Sequence, residues 1–387
     1  MKNYLIIGNG VAGTTAAENI REKDPDGRIT IVTDEDFPYY YRIRLNEFIC
    51  GEISEEGLLA KKTTWYEENR IELRAGLLVT GGDPAKREVA TADGGTLSYD
   101  ALLLATGSHS FIPPIPGADT EGVFTLRTIE DARKIIKYAQ KSKTVVLIGG
   151  GLLGLEAGNA LRKIGKKVTV VEFCPHLLPR QLDKRGAERL TKMMEGMGFS
   201  FRVGAATQEI VGSDSVKSVL LKGGESLPAD MVLLSAGVRS NIELANMLKL
   251  KTEKGIVVDS KMRTSQPEIF AAGDVAEFDK TLYGIWPAAL EQGKVAGSVM
   301  AGGSEIYAGT TMANKLKVAG IDLGSAGEID SEGKYDSQVE EKGDVYKKFV
   351  IDNNHLIGVI MLGDTKGFAS MIKAIHEQTP IDQLQLV

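Results

Sequence analysis

Cysteine is nearly absent from this 387-residue chain. Cys50 and Cys174 lie far apart and match no metal-binding or paired redox spacing, so structural disulfides and bound iron–sulfur clusters are disfavoured. The four histidines have no ligand spacing either, which leaves no metal site to expect. Positive charge is not in excess: 46 Lys and Arg stand against 52 Asp and Glu, for a net charge of -6. General affinity for nucleic acid or an acidic membrane is thereby excluded, although a local basic patch for an acidic protein partner is not. No apolar run is long enough to span a bilayer. The first strand begins within a few residues of Met1 without a signal-like stretch, so the expected compartment is the cytoplasm. What remains, 43% hydrophobic and 25% charged residues, is the composition of an ordinary soluble protein. Its length exceeds one compact core and predicts two or three domains.

Glycine, in contrast, is placed with purpose. The apolar run Tyr4-Leu5-Ile6-Ile7 leads into Gly8-x-Gly10-x-x-Gly13, and Val145-Val146-Leu147-Ile148 leads into Gly149-x-Gly151-x-x-Gly154. In each copy the first glycine permits the tight turn out of a strand, the second lets backbone approach a pyrophosphate, and the third lets the helix pack close to the sheet. The helix N-terminus then faces the phosphate charge. One copy would be weak evidence; two, each with a strand before and a helical pattern after, predict two bound dinucleotides.

Each unit continues as this reading requires. After a helix around Thr14 to Arg21, the strand Ile29-Thr30-Ile31-Val32 is followed by Asp34 and Glu35. An acid here accepts hydrogen bonds from adenine-dinucleotide ribose hydroxyls; Asp34 is the first choice and Glu35 the next. The second unit's strand Val168-Thr169-Val170-Val171 ends in Glu172, about twenty residues beyond its glycines. Glu172 is expected to bind a free 2′-hydroxyl and repel a 2′-phosphate. Phe173 and Cys174 follow rather than an arginine, which favours NADH over NADPH.

Three further strand ends narrow the pattern: Leu102-Leu103-Leu104-Ala105-Thr106-Gly107, Leu233-Leu234-Ser235-Ala236-Gly237-Val238-Arg239-Ser240-Asn241, and Ile269-Phe270-Ala271-Ala272-Gly273-Asp274. With the doubled fingerprint, they make residues 1 to about 300 resemble the pyridine-nucleotide-disulfide oxidoreductase superfamily, whose members bind FAD at the first fingerprint and NAD(P)H at the second. The resemblance implies an α/β fold with two Rossmann-like domains and a small α+β C-terminal domain. The expected boundaries are 1–112 and 241–303 for the FAD domain, 113–240 for the NAD domain, and 304–387 for the C-terminal domain.

By matching position, the resemblance also implies site residues. Asp274 would bind the ribityl chain or pyrophosphate of FAD, with Gly273 allowing close approach; the alternative is a cap. Thr106 and Gly107 would lie along the flavin, and Gly237 belongs to the same cofactor set. Arg127 would approach the FAD site or form a surface ion pair. Glu156 would sit near the nicotinamide or flavin edge, or be a simple helix-face carboxylate. Trp286-Pro287 reads as a helix start, because proline suits the first turn. Trp286 would shield the flavin or fill a domain seam. His109 is expected to be a satisfied loop histidine.

The branch of the superfamily is indicated by cysteine. Disulfide reductases of this kind need a Cys-x4-Cys pair after the first βαβ unit, and none is present. Single-cysteine oxidases, peroxidases and coenzyme A disulfide reductases carry theirs where this chain has Pro38-Tyr39-Tyr40-Tyr41-Arg42-Ile43-Arg44-Leu45-Asn46. Cys50 comes later, at a position typical of packing. The Tyr-Arg-x-Arg-Leu segment and Leu178-Pro179-Arg180-Gln181-Leu182-Asp183 instead resemble NADH:rubredoxin oxidoreductase and the flavin half of assimilatory nitrite reductase. Oxygenase-serving ferredoxin reductases carry a lysine where Asn46-Glu47 stands. Arg42 and Arg44 are candidates for FAD contact or for surface ion pairs.

The implied activity is hydride transfer from NADH to FAD, followed by release of electrons to a one-electron carrier such as rubredoxin, by a monomer or homodimer. An NADH oxidase or peroxidase, a disulfide reductase using Cys50, a flavin reductase subunit of a nitrite reductase complex and a redox sensor are the alternatives. An acidic carrier would need a basic patch; Lys61-Lys62, Lys315 with Lys317, and Lys347-Lys348 are candidates. In the last eighty or so residues, the runs 347–351 and 356–361 read as a β-hairpin, with a helix following from about Gly367 to His376.

Overall fold

Each fingerprint strand occupies the centre of a five-stranded parallel sheet. The computed structural model describes residues 1–384, apart from the side chains of residues 313–316. In one sheet Asn3–Ile7 lies between Arg28–Val32 and Ala101–Leu104, with Ile71–Arg74 and Ile269–Ala271 at the edges. In the other, Thr144–Ile148 lies between Lys167–Glu172 and Met231–Leu234, with Ser200–Val203 and Val123–Phe124 outside. The central strands are apolar on both faces because helices and connections cover both; Ala101–Leu104 is buried throughout. Each sheet is accompanied by a three-stranded antiparallel sheet, Val79–Asp83 to Thr96–Ser98 in one case and Thr207–Gly212 to Ser226–Pro228 in the other.

The strand order matters for function. Successive strands are added on one side of the fingerprint strand and later ones on the other, so chain direction across the sheet reverses at that strand. A crevice opens there, at the carboxyl ends of the strands, and ligands of open α/β sheets bind in such crevices. The protein builds this crevice twice.

The chain divides into two compact units. One comprises Met1–Arg42, Glu55–His109 and Val238–Thr310; the other comprises Ile43–Ser54, Ser110–Gly237 and Thr311–Val387. The second unit therefore takes in both the second parallel sheet and the C-terminal region, together with the short helix Leu45–Ile49.

In the first unit the helix Trp286–Met300 packs on the helix Val11–Lys23 with almost no separation. A Cβ added at Gly293 would stand 2.5 Å from the Ala12 carbonyl oxygen, and one at Gly297 would stand 2.4 Å from that of Ala16. Because Gly293 faces Ala12 and Gly297 faces Ala16, the two helices run in the same direction at the contact. Their N-terminal ends consequently meet at the same edge of the sheet, beside the first glycine turn. Pro287 in the first turn of the later helix has no N–H to leave unsatisfied there.

The C-terminal region is a five-stranded antiparallel sheet crossed by the helix Phe368–Glu377. Its predicted hairpin is formed by Val345–Asp352 and His355–Leu362, joined through Asn353 and Asn354 at φ 47° and 65°, a conformation that asparagine tolerates. Among the described residues no helix is long and apolar enough to cross a membrane.

Candidate functional site

The first glycine turn is shaped by its neighbours. Gly8 has φ +113°, and a Cβ there would meet the Ala105 carbonyl oxygen at 2.1 Å. Gly13 is pressed against the Gly8 carbonyl in the same way, at 2.0 Å. Around Gly10, by contrast, a Cβ would find nothing within 4 Å: this glycine keeps open a space that the protein itself does not fill. Beside it, Asn9 accepts from the Tyr66 hydroxyl through Oδ1 at 3.0 Å, while its buried Nδ2 has no hydrogen-bond partner among the described residues. A buried donor without an acceptor is costly, and here it lies beside Gly10 at a helix N-terminus. The turn fits the pyrophosphate of a dinucleotide.

Glu35, rather than Asp34, lines the cleft next to Gly10, together with Asn9, Thr33, Tyr40 and Arg42. Its carboxylate accepts from Tyr40 Oη at 2.7 Å and pairs with Arg42, whose guanidinium lies 5.2 Å from the Tyr40 ring centroid. Asp34 is exposed and does not line the cleft. Arg44 pairs with Glu47 at 2.7 Å in the second unit.

At the other side of the fingerprint strand, Asn241 organises the Thr106-Gly107 turn. Its Nδ2 donates to the Thr106 carbonyl at 2.7 Å, its N–H donates to the Gly107 carbonyl at 3.0 Å, and its carbonyl accepts from Thr106 Oγ1 at 2.9 Å. His109 Nδ1 lies 2.6 Å from Asn241 Oδ1, so this histidine is partnered, but it sits in the short strand Ser108–Ser110 rather than in the expected loop. Asp274 accepts from Ser108 Oγ at 2.9 Å and its carbonyl accepts from Ser240 Oγ. Gly273 donates to Gln292 Oε1 at 2.8 Å, which ties this turn to the helix begun by Trp286. Trp286 stacks with Tyr41 and Tyr39 at centroid distances of 5.7 and 6.4 Å. The two tyrosines were present in the sequence without an assigned role. Their i, i+2 spacing in an extended segment was the signal that they share a face.

The second glycine turn repeats the first. Gly149 has φ +114° with the Ser235 carbonyl oxygen 2.2 Å from a Cβ position, and Gly154 is packed on the Gly149 carbonyl at 2.7 Å. Gly151 faces open space. Glu172 stands beside this turn but is buried, and its carboxylate accepts from the N–H groups of Gly150 and Cys174 at 2.5 and 2.6 Å. It therefore fixes the turn. Glu156, on the helix Leu152–Lys163, is half-buried; Oε1 accepts from the Ala319 N–H at 2.8 Å, and burial raises its pKa. Gly237 is exposed at φ +97° and its carbonyl accepts from the Phe111 N–H. The backbone N–H of Arg127 donates to Asp131, which closes a capping box with Thr128 at the start of Ile129–Ala139.

Neither cysteine resembles an activated thiol. Cys50 is half-buried, its Sγ donates to the Glu47 carbonyl, and burial pushes its pKa up. Burial followed by the nearby Glu172 does the same to Cys174. Lys347 and Lys348 do not form the surface patch that their sequence suggested. They are 4% and 6% exposed, and they pair with Asp364 and with Asp183 and Asp330 respectively. Lys61 pairs with Glu18 at 2.6 Å and lies over the Trp65 ring. Lys317 remains mostly exposed, whereas the side chain of Lys315 lies outside the described residues.

Residues 2–293 match the pyridine nucleotide-disulphide oxidoreductase family, and residues 313–379 match the rubredoxin NAD+ reductase C-terminal domain. The chain is 37% identical over 384 residues to an assimilatory nitrate reductase electron transfer subunit of Bacillus subtilis (strain 168), covering 98% of this chain and 50% of that one. It is 36% identical over 338 residues to an NADH oxidase of Methanocaldococcus jannaschii, covering 84% of this chain and 75% of that protein. The structure of NADH:rubredoxin oxidoreductase from Clostridium acetobutylicum superposes with a TM-score of 0.86 at 29% identity, covering 99% of this chain and 97% of that one. The chain spans half or less of the length of the first curated relatives that it matches.

Proposed function

This chain belongs to the pyridine nucleotide-disulphide oxidoreductase family, a family that uses FAD and NADH, and on that premise we propose that it passes electrons from NADH to a small carrier protein such as rubredoxin. FAD, when bound, supplies the conversion between a two-electron donor and a one-electron acceptor. What this chain's own residues contribute is binding, orientation and exclusion of water.

On this reading the first glycine turn holds the FAD pyrophosphate at Gly10, with Asn9 Nδ2 as a waiting donor and Glu35 with Arg42 at the adenosine side. Asp274 and Gly273 approach the chain between pyrophosphate and ring. Thr106 and Gly107, fixed by Asn241, form the neighbouring wall, and Trp286 with Tyr39 and Tyr41 closes it with aromatic surface. The N-terminus of Leu152–Lys163 receives the NADH phosphates at Gly151, and Glu172 discriminates against a 2′-phosphate.

The observation that carries the choice of acceptor is the state of the thiols. A disulfide reductase needs a thiolate, and a raised pKa keeps Cys50 and Cys174 protonated at neutral pH. The match of residues 313–379 to the C-terminal domain of a rubredoxin reductase supports the same choice. A second reading, as the electron-entry part of a nitrite-reducing assembly, is favoured by the likeness to the Bacillus electron transfer subunit. Anaerobic steady-state turnover of NADH with rubredoxin, ferredoxin, a low-molecular-weight disulfide and nitrite, and an aerobic run with oxygen alone, tests the proposal. Faster turnover with rubredoxin than with any of the others is expected. Turnover confined to oxygen would make the chain an oxidase, and flavin reduction without any acceptor would make it a sensor.

A further inference from the structure

Glu156 makes a contact that its role beside a dinucleotide does not require. One of its carboxylate oxygens accepts from Ala319, 163 positions away in sequence and in the turn between the strands Ala313–Val318 and Ile321–Gly327. That turn is unusual. Ala319 and Gly320 have φ of 53° and 90°, the paired positive values of a two-residue turn that normally selects Asn-Gly or Asp-Gly. Alanine there is strained, and it is 7% exposed. In such a turn the N–H of the first central residue points away from the hairpin. A buried N–H needs an acceptor, and Glu156 Oε1 provides it.

The second oxygen of Glu156 takes no hydrogen bond among the described residues. The carboxylate is half-buried, and among the described residues Lys163, Glu47 and Glu52 are charged groups acting on it. Lys163 is itself paired with Glu52 at 2.6 Å, and Glu47 with Arg44. Glu156 is thus a desolvated acceptor with one oxygen fixed and one spare. It stands on the helix whose first turn, at Gly151, forms the open cradle, two residues beyond Gly154. The groups that a pyridine dinucleotide can offer such an oxygen are its carboxamide N–H and its ribose hydroxyls.

The geometry points to Glu156 as a positioning residue that bridges a bound dinucleotide to the Ala319 turn, so that occupancy of the second glycine turn orders the near edge of the C-terminal sheet. This inference rests on the assignment of NADH to that turn. The spare oxygen receives the donor from the dinucleotide, the fixed oxygen keeps the Ala319 N–H, and the carboxylate is held from both sides.

Hydrogen–deuterium exchange of the FAD-loaded protein, with and without NAD+, tests the bridge apart from turnover. In the wild type, NAD+ should slow exchange at Gly149–Gly154 and also at Val318–Ile321, the latter by about threefold or more. Glu156→Gln keeps an oxygen for Ala319 but presents an NH2 group to the dinucleotide. Its hairpin turn should exchange as in the wild type without NAD+ and should not slow when NAD+ is added. In Glu156→Ala the turn should exchange roughly tenfold faster and ignore NAD+. Protection of Gly149–Gly154 without a change at Val318–Ile321 in the wild type would overturn the bridge, as would equal slowing in Glu156→Ala. NAD+ that protects neither segment would instead remove the dinucleotide from the second turn, and the bridge with it.

Discussion

Tyr346 donates its phenolic hydrogen to Asp183 Oδ2 at 2.7 Å, and Lys348 Nζ stands 3.4 Å from the same oxygen. Asp183 Oδ1 meanwhile caps the helix Lys184–Gly196 through the Gly186 N–H. One buried carboxylate thus joins the acid-terminated loop of the second dinucleotide unit to two neighbouring residues of the C-terminal sheet. This explains the Leu178-to-Asp183 segment structurally: its final aspartate is an anchor.

The anchor predicts a graded loss of stability. Tyr346→Phe removes one buried hydrogen bond and should cost about 1 kcal/mol. Asp183→Ala removes the cap and leaves Lys348 with only Asp330 for a carboxylate partner, which should cost about 3 kcal/mol or more. Denaturant midpoints measure both. Equal effects would show that Asp183 is not the shared partner.

The glycine cradles predict separable cofactor losses. Gly10→Ala and Gly151→Ala each place a methyl group in open space, so neither should change the unfolding free energy of the cofactor-free protein by more than about 1 kcal/mol. Gly10→Ala should weaken FAD retention, and Gly151→Ala should raise KM for NADH about tenfold while the purified protein stays yellow. Loss of FAD from Gly151→Ala would contradict the assignment of the two turns.

Glu172 predicts coenzyme choice. Glu172→Ala removes the carboxylate that would face a 2′-phosphate, and the ratio of kcat/KM for NADH over NADPH should fall about tenfold or more. Because the same change releases the Gly150 and Cys174 N–H groups, NADH turnover should fall as well. An unchanged ratio would mean that Glu172 serves the turn alone.

The thiols predict slow alkylation. Raised pKa values leave less thiolate at any pH below them, so Cys50 and Cys174 should react with iodoacetamide more slowly than free cysteine at pH 7.5 and accelerate as the pH rises past 9. Rapid labelling of Cys50 at neutral pH would reopen thiol chemistry.

Local pattern revealed the parts of this protein that local pattern controls. Gly13 and Gly154 are legible because Gly8 and Gly149, a few residues earlier in the chain, press on them, and Pro287 marks its helix start; the spacing also reveals Gly8 and Gly149, although it is Ala105 and Ser235, far away in sequence, that leave them no room for a side chain. What escaped depended on chain reversal or on distant partners. Glu35 lines the cleft, and Asp34 does not, because the segment after Val32 folds back through Tyr40 and Arg42. Lys347 and Lys348 read as surface charge, yet Asp364, Asp183 and Asp330 allow both to be buried. Ala319 carries no signal until Glu156 is brought beside it.

The account turns on electrons leaving the flavin without help from a thiol. Anaerobic stopped-flow measurement of rubredoxin reduction by the NADH-reduced Cys50→Ser, Cys174→Ser double variant tests this most directly. The account predicts the wild-type rate; abolished or strongly slowed reduction in a variant that retains FAD and its reduction by NADH would contradict it.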